Sequence, residues 1–351
     1  MYASHKDSCV FSLYAYDLNC LLEKYYEVNE VHSNVIAYRS LGRSNYHFAS
    51  EALEYAASNA PCVVLCFDVS GFFDNLDHKI LKDRLKRLIG TSTLSEDWYA
   101  VLRNVTRHSF VERDDLCAHS AFYQRIKNPK ARIIARISEL KDQKIKIYRN
   151  EKKRGIPQGT PISSALSNTY MILFDTEFSS LCRKHNAFYR RYSDDIILIC
   201  KPSEEIYFTH AIEELMLEHK LELKKEKTDR VLFEYNGTNS FQYLGFRIDA
   251  NGAVIRSSSL GRQWRKAKRA LAKTRRIGEN AISLNKSTKI YTKSLRRRFA
   301  PVGVRNFSSY ARQAATSLGS RRIKRQIIRL ERMVHDAITS MKATSADSLV
   351  E

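Results

Sequence analysis

Asp68 ends a run of apolar residues, Cys62-Val63-Val64-Leu65-Cys66-Phe67, and Asp194-Asp195 stand between two further strand-like segments, Phe188 to Tyr192 and Ile196 to Cys200. The first pattern predicts a buried strand that presents a carboxylate at its C-terminal end, and the second a β-hairpin with two carboxylates at its turn. Asp68 and Asp194 are 126 positions apart, yet strand ends are where a sheet brings remote residues together. Three carboxylates in one place repel each other unless cations fill the cluster. Two Mg²⁺ ions about 4 Å apart, bridged by aspartate oxygens, would lower the pKa of an attacking hydroxyl and neutralise a departing pyrophosphate. Each aspartate alone would be ordinary, because Asp is common in turns. Their conjunction with the neighbouring residues carries the reading.

The elements that must position these groups can be traced along the chain. Residues 11 to 60 read as helices around a polar, basic loop, Tyr38-Arg39-Ser40-Leu41-Gly42-Arg43-Ser44. After Asp68, the spacing of Ile80, Leu81, Leu85 and Leu88 predicts a helix over 77–88 with Asp77 as its N-cap. Residues 90–150 read as helical and basic, with a short strand at Lys144 to Tyr148. The turn Gly155-Ile156-Pro157-Gln158-Gly159-Thr160-Pro161 precedes an apolar stretch, Ile162 to Phe178, that predicts one helix. Beyond the hairpin come a helix over 204–219, the polar segment Lys224-Lys225-Glu226-Lys227-Thr228, and strands near 230–235, 241–248 and 253–256. Strands mixed with helices predict an α+β core, and everything past about 258 reads as helical.

Charge divides the chain sharply. Residues 251–351 hold 24 Lys and Arg against 5 Asp and Glu, which places 19 of the chain's 21 surplus positive charges in its last 101 residues. Self-repulsion of that size opposes compaction unless a polyanion offsets it, and nucleic acid is the obvious polyanion. The blocks Arg265-Lys266-Ala267-Lys268-Arg269, Arg296-Arg297-Arg298 and Arg321-Arg322-Ile323-Lys324-Arg325 recur among Leu, Ile and Phe, so they read as helix faces rather than a disordered tail. Trp264, Tyr291, Phe299, Phe307 and Tyr310 lie among them and could stack on bases or sugars.

Several classes are excluded. With 43% hydrophobic residues, 12 Gly and 6 Pro in 351, the chain is neither collagenous nor low-complexity. No run of eighteen apolar residues predicts a membrane span, and the first ten residues lack the order of a signal peptide. Seven scattered cysteines suit reduced, buried thiols, so a cytoplasmic location is expected; Cys62 and Cys66 read as core positions rather than metal ligands.

Five segments stand in a telling order: Phe67-Asp68-Val69-Ser70-Gly71-Phe72-Phe73-Asp74, Gly155 to Ser163, Tyr192-Ser193-Asp194-Asp195, Lys227-Thr228 and Tyr243-Leu244-Gly245-Phe246. In order and spacing the chain resembles the bacterial reverse transcriptases of the group II intron, retron and defence-associated lineages. The resemblance implies an α+β right-hand polymerase fold with five parts. Residues 1–60 would be the N-terminal fingers, 61–90 the first part of the palm, 91–154 a fingers or basic insertion, 155–250 the second part of the palm, and 251–351 a basic helical thumb.

Site roles follow from the same resemblance. Asp68, Asp194 and Asp195 would hold two Mg²⁺ ions, with Mn²⁺ able to substitute. Val69, Gly71 and Phe72 would meet the nucleotide after Asp68, and Phe73 would be the steric gate that selects deoxynucleotides. One of Phe72 and Phe73 would also suit ordinary core packing. Gln158 would contact the nucleotide sugar. Arg39 and Arg43 would clamp the triphosphate, although their spacing departs by one residue from the intron-encoded pattern, which leaves open which arginine does what. Lys227 resembles the lysine proposed as general acid for pyrophosphate; its neighbours equally suit a solvated lysine. Tyr192 and Tyr243, Leu244 and Gly245 would grip the primer, and Arg265, Lys266, Arg269, Arg296, Arg297 and Arg298 the template–primer duplex.

Within the group, the sequence lacks the Asn-Ala-x-x-His and Val-Thr-Gly elements usual in retron enzymes, and no maturase segment, zinc-binding Cys/His pairs or acidic RNase H-like domain is found in the 351 residues. Tyr-Ser-Asp-Asp and the segment Val101 to Arg107 most resemble the defence-associated reverse transcriptases of type 2, which copy a structured noncoding RNA repeatedly into cDNA and protect bacteria from phage. The implied partners are that RNA, an RNA–DNA duplex and dNTPs, with no membrane; the oligomeric state stays open. Alternatives are a retron- or intron-type enzyme, an RNA-dependent RNA polymerase, untemplated protein-primed synthesis, and a maturase-like RNA binder with a vestigial palm.

Overall fold

The computed structural model describes residues 4–128, 131, 133–224, 226, 228–300 and 305–347, with side chains as far as 342. Helices α1 (His5–Val28) and α2 (Asn45–Ser58) precede strand β1 (Cys62–Asp68). A single turn, α3 (Phe72–Asn75), and α4 (His78–Ile89) lead into α5 (Glu96–Thr106), β2 (Ser109–Phe110), α6 (Arg113–Cys117), α7 (Ser120–Lys127), α8 (Ile137–Asp142) and β3 (Tyr148–Arg149). Next come α9 (Ser163–Tyr170), α10 (Ile172–Lys184), β4 (Phe188–Tyr192), β5 (Asp195–Cys200), α11 (Glu205–Glu218) and β6 (Asp229–Phe233). The chain continues through β7 (Ser240–Tyr243), β8 (Phe246–Asp249), β9 (Gly252–Ile255), α12 (Ser257–Ser283), α13 (Lys293–Phe299), α14 (Phe307–Ser317) and α15 (Arg321–Asp347).

Four strands form an antiparallel sheet in the order β4-β5-β1-β6. β1 is apolar on both faces because both are covered. Val63, Leu65 and Phe67 enter a core shared with α1, α4, α5, α9, α10 and α11, while Cys62 and Val64 enter a second core shared with α2, β7–β9 and the C-terminal helices. That alternation is the two-residue period of a strand, and it seats the sheet between two apolar layers. Asp77 caps α4 as its position predicts, accepting from the backbone N–H groups of Lys79 and Ile80 at 2.9 and 3.0 Å. Cys62, Cys182 and Cys200 are buried and all seven cysteines are free. Among the described residues, no helix is long and apolar enough to cross a membrane.

Three expectations need correcting. The helix expected over 162–178 is two helices broken at Met171. The Thr169 hydroxyl bonds back to the Ala165 carbonyl at 2.9 Å, a contact that bends helices, and the Met171 N–H takes the Asn168 carbonyl, one residue short of the α-helical partner. The strand expected over 241–248 is a hairpin: Leu244 and Gly245 have φ of +46° and +90°, and Tyr243 pairs with Phe246 across them. The short strand expected at Lys144 to Tyr148 is confined to Tyr148–Arg149, paired with Ser109–Phe110, and the surrounding segment carries only a small core of Phe122, Leu140 and Ile145.

Candidate active site

The strand register does the assembling. β1 and β5 are antiparallel, and Asp68 stands directly opposite Asp195 at the end of the pair, where facing residues have Cα atoms about 4.5–5.5 Å apart. Asp194 is held beside them, because its carbonyl accepts the Val69 N–H at 3.1 Å. The hairpin that carries both aspartates is closed by a two-residue turn between Tyr192 and Asp195.

Electrostatics mark the cluster as crowded. The Asp195 carboxyl is pushed up to about 6, first by loss of hydration in the cleft and then by the negative charges of Asp194 and Asp68. Its offsetting cations are Arg256 and Lys224. The Lys224 ammonium is bound directly to the Asp68 carboxylate, and that hydrogen bond raises the lysine's own pKa. Lys224 is placed there by its backbone, since its N–H donates to the Asp68 carbonyl at 2.9 Å and the preceding Leu223 bridges to Val69.

A cleft of about 860 Å³ opens over this cluster. Asp68 and Asp195 line its floor with Phe67, Tyr192 and Tyr243; the hairpin residues Leu244 and Gly245 form one wall; Arg256, Arg262, Gln263 and Lys266 of the α12 region form the other. Acid on the floor and base on the wall suit a polyanion whose reacting end lies on the acidic groups. The Tyr243 hydroxyl is buried here without a hydrogen-bond partner.

The remaining predicted positions separate into those at this site and those elsewhere. Val69 is buried directly after Asp68. Gly71 has φ +50° and caps α3, and a Cβ there would lie 3.0 Å from the Asn75 amide nitrogen. Phe72 belongs to the core, whereas Phe73 is half-buried and meets it edge-on at 5.4 Å. The 155–159 turn docks on this segment: Ile156 N–H donates to the Phe73 carbonyl at 2.9 Å, and Gly155, at φ +89°, passes so close that a Cβ would lie 2.9 Å from the Asp74 carbonyl oxygen. Gln158 is exposed at the tip of that turn.

Arg39 departs from expectation. Its guanidinium is 2% exposed and spends its donors on Glu23, on His32 and on the carbonyls of His32 and Val35, while stacking over Tyr26. It ties α1 to the following loop instead of facing an open site. Arg43 is more accessible, paired with Glu51 at 2.6 Å over the Phe48 ring. Arg265, Arg269, Arg296, Arg297 and Arg298 are exposed, but Lys266 is the one among the six predicted duplex-binding residues that lines the cleft. Lys227 lies outside the described residues. Lys224, Arg256 and Arg262 were missed: three lysines crowd 224–227, and it is the strand pairing that brings Lys224 to Asp68.

The donor set fits divalent ions in kind. It offers hard carboxylate oxygens crowded together, with Lys224 bound to the Asp68 carboxylate. Among the described residues, no three His, Cys, Asp or Glu side chains already converge as a finished metal cluster.

Comparison with known proteins agrees with this architecture. Residues 9–248 match the family profile described as reverse transcriptase (RNA-dependent DNA polymerase). The chain belongs to that family, which generally uses divalent metal ions. Among solved structures, the chain is similar to telomerase from Candida albicans in complex with a TWJ fragment of telomeric RNA, at 15% identity and a TM-score of 0.52 over 97% of this chain and 48% of that one. Apo telomerase from Candida tropicalis aligns at 13% identity and a TM-score of 0.49 over 96% of this chain and 51% of that one. The chain thus spans about half the length of the telomerases it matches. No curated protein matches it in sequence. The α+β polymerase fold expected from the sequence is the fold observed.

Proposed function

We propose that this protein copies RNA into DNA by two-metal nucleotidyl transfer, with Asp68, Asp194 and Asp195 as the metal ligands. The observation that carries this reading is the β1–β5 register, which sets Asp68 opposite Asp195 at the floor of a cleft with a basic wall. When bound, divalent ions would supply Lewis acidity toward the attacking hydroxyl and the departing pyrophosphate. The chain's own groups do the rest. Residues 61–90 and 155–250 act as the palm, 1–60 and 91–154 as fingers, and 251–351 as the thumb, whose Arg262 and Lys266 follow the duplex phosphates. Lys224 holds Asp68 in place and supplies positive charge there, as a bound divalent ion would. Phe73 guards the sugar position, braced by the 155–159 turn, and Gln158 reaches the nucleotide. Arg43 remains available to the triphosphate once Glu51 releases it.

The finer reading is a bacterial antiphage enzyme paired with a structured noncoding RNA, supported by the Tyr192-Ser193-Asp194-Asp195 variant and the segment Val101 to Arg107. Sequencing the RNA and DNA that co-purify with the protein tests it: one defined RNA and repeated cDNA copies of it support the reading, and random or untemplated DNA overturns it.

The test of the activity is extension of a DNA primer on an RNA template with Mg²⁺ and each class of nucleotide. Replacing Asp194 and Asp195 with Ala should lower synthesis by at least about 10³-fold while RNA binding persists. A preference for NTPs over dNTPs would overturn the DNA-polymerase assignment, and biological activity untouched by the double substitution would favour an RNA-binding protein.

A further inference from the structure

We propose that Arg191 is a positioning residue for nucleotidyl transfer, its guanidinium fixing the backbone turn that sets the direction of Asp194 beside Asp195 and Asp68. This rests on the function proposed above.

Arg191 is the penultimate residue of β4 and is fully buried. A buried guanidinium is costly unless its donors are paired. Here Nε and Nη2 bind the two oxygens of the equally buried Asp175 at 2.8 and 2.6 Å. Nη2 also reaches Asn168 Oδ1 at 3.2 Å, and Nη1 donates to the Ser193 carbonyl at 3.1 Å. Asp175 in turn accepts the Tyr189 hydroxyl at 2.7 Å. Both ends of the assembly are anchored, since Asn168 donates to the Ala37 carbonyl at 3.1 Å and the Arg191 N–H to the Asn34 carbonyl at 2.7 Å.

The bond to Ser193 is the one with chemical consequence. Ser193 has φ +61°, a conformation that a residue with a Cβ adopts only when its surroundings impose it. The Ser193 carbonyl belongs to the peptide unit that leads into Asp194, so pinning it fixes the rotation entering Asp194. The peptide unit leaving Asp194 is pinned as well, its carbonyl taking the Val69 N–H at 3.1 Å. With both flanking planes held, the direction of the Asp194 Cα–Cβ bond is set before any ion arrives. The Tyr38 hydroxyl, 3.0 Å from Ser193 Oγ, braces the same turn from the fingers side. Ion pairs that are this deeply buried add little net stability over apolar packing, whereas a planar fork that reaches two acceptors in different directions supplies orientation.

Two variants test this in the full chain. Arg191→Lys keeps a charge opposite Asp175 but loses the fork that also reaches Ser193. Arg191→Met combined with Asp175→Leu removes the pair and fills its volume with apolar atoms. Each is compared with the wild type for folding by circular dichroism, template–primer affinity, Mn²⁺ affinity by electron paramagnetic resonance without nucleotide, and kcat and KM for dNTP. Folded variants should bind template–primer as the wild type does and lose about tenfold to a hundredfold in Mn²⁺ affinity. Their kcat should fall by a similar factor with KM for dNTP little changed, and Arg191→Lys should be the milder of the two. A folded variant with wild-type Mn²⁺ affinity and kcat overturns the proposal. Loss of folding in both would assign the pair to the fold alone and overturn it too. The functional reading fails in a different way: the wild type itself would then neither bind Mn²⁺ at the aspartates nor make DNA.

Discussion

The hairpin β4–β5 carries charge on two sides that the protein treats in opposite ways. Beneath it, the Asp175 carboxylate has an arginine fork and a tyrosine hydroxyl and is sealed from water. At its tip, Asp194 and Asp195 join Asp68, to which Lys224 is bound directly, and Asp195 is driven toward its neutral form. Across the cleft, the C-terminal helices repeat the imbalance with the other sign, exposing cations such as Arg262 and Lys266 on the wall. Charge is compensated where it holds the fold and left over where a ligand must supply the balance.

Exchanging the roles of the two carboxylate sites is the harshest test of that contrast. Asp68→Asn should cut DNA synthesis on the order of 10³-fold and leave thermal stability little changed, because relieved repulsion offsets the lost pairing with Lys224. Asp175→Asn should do the converse in stability, costing about 3–5 kcal/mol by leaving Arg191 buried without its counter-charge. Differential scanning calorimetry and primer extension on both proteins check this. A large loss of stability in Asp68→Asn, or none in Asp175→Asn, breaks the contrast.

The basic wall offers a smaller effect. Arg262 and Lys266 line the cleft, so replacing both with Ala should flatten the dependence of log affinity on log salt by about 1.8. Arg296, Arg297 and Arg298 are exposed on α13 outside the cleft lining. Three consecutive helical residues also spread over about 200°, so they cannot all meet one duplex. Replacing those three should flatten the slope by about 1 at most, although the sequence places all three on the duplex. Fluorescence anisotropy on an RNA–DNA duplex across a salt series measures both. Equal slopes for the two variants would show that the cleft wall has no privileged contact with the duplex.

These cases show where sequence reasoning reached and where it stopped. The end of β1 at Asp68, the Asp77 cap and the hairpin at Asp194 were legible because each is written in adjacent residues: an apolar run, a capping side chain, a break between strands; Asp195 itself begins β5 rather than sitting in the turn. The Leu244-Gly245 turn was not, because Leu disguises a position where Asn or Asp would have signalled positive φ. Arg39 read as a phosphate clamp since its loop is basic and polar; its burial depends on Glu23, sixteen residues back on α1. Arg191 likewise looks like a surface charge beside Tyr192, and its partner Asp175 sits on a helix with no local hint of the pairing. The place of Lys224 on Asp68 follows from the bridge of Leu223 to Val69, which the local lysine-rich sequence does not show. Local chemistry is visible in a sequence, whereas partners chosen by tertiary register are not.

The smallest effect concerns the proton on Asp195. Its folded pKa of about 6 stands above the ordinary value of 3.8, so the folded, metal-free protein holds that proton more tightly than the unfolded chain does. Below about pH 4 both states are protonated and Asp195 costs nothing. As pH rises from about 4 to 6 the unfolded chain ionises first, and the folded protein loses stability; above about 6 the penalty is constant. Other carboxylates act in the opposite direction, among them Glu23, held low by Arg39, so the overall stability curve would hide this contribution. The difference between wild type and Asp195→Asn isolates it. In urea denaturation without metal, the wild type should weaken relative to the variant as pH climbs from 4 to 6, and saturating Mg²⁺ should erase the trend because it favours the ionised form. A difference that is flat with pH, or that runs the other way, would mean that the three carboxylates do not crowd one another, and the contrast between the two faces of the hairpin would fail at its tip.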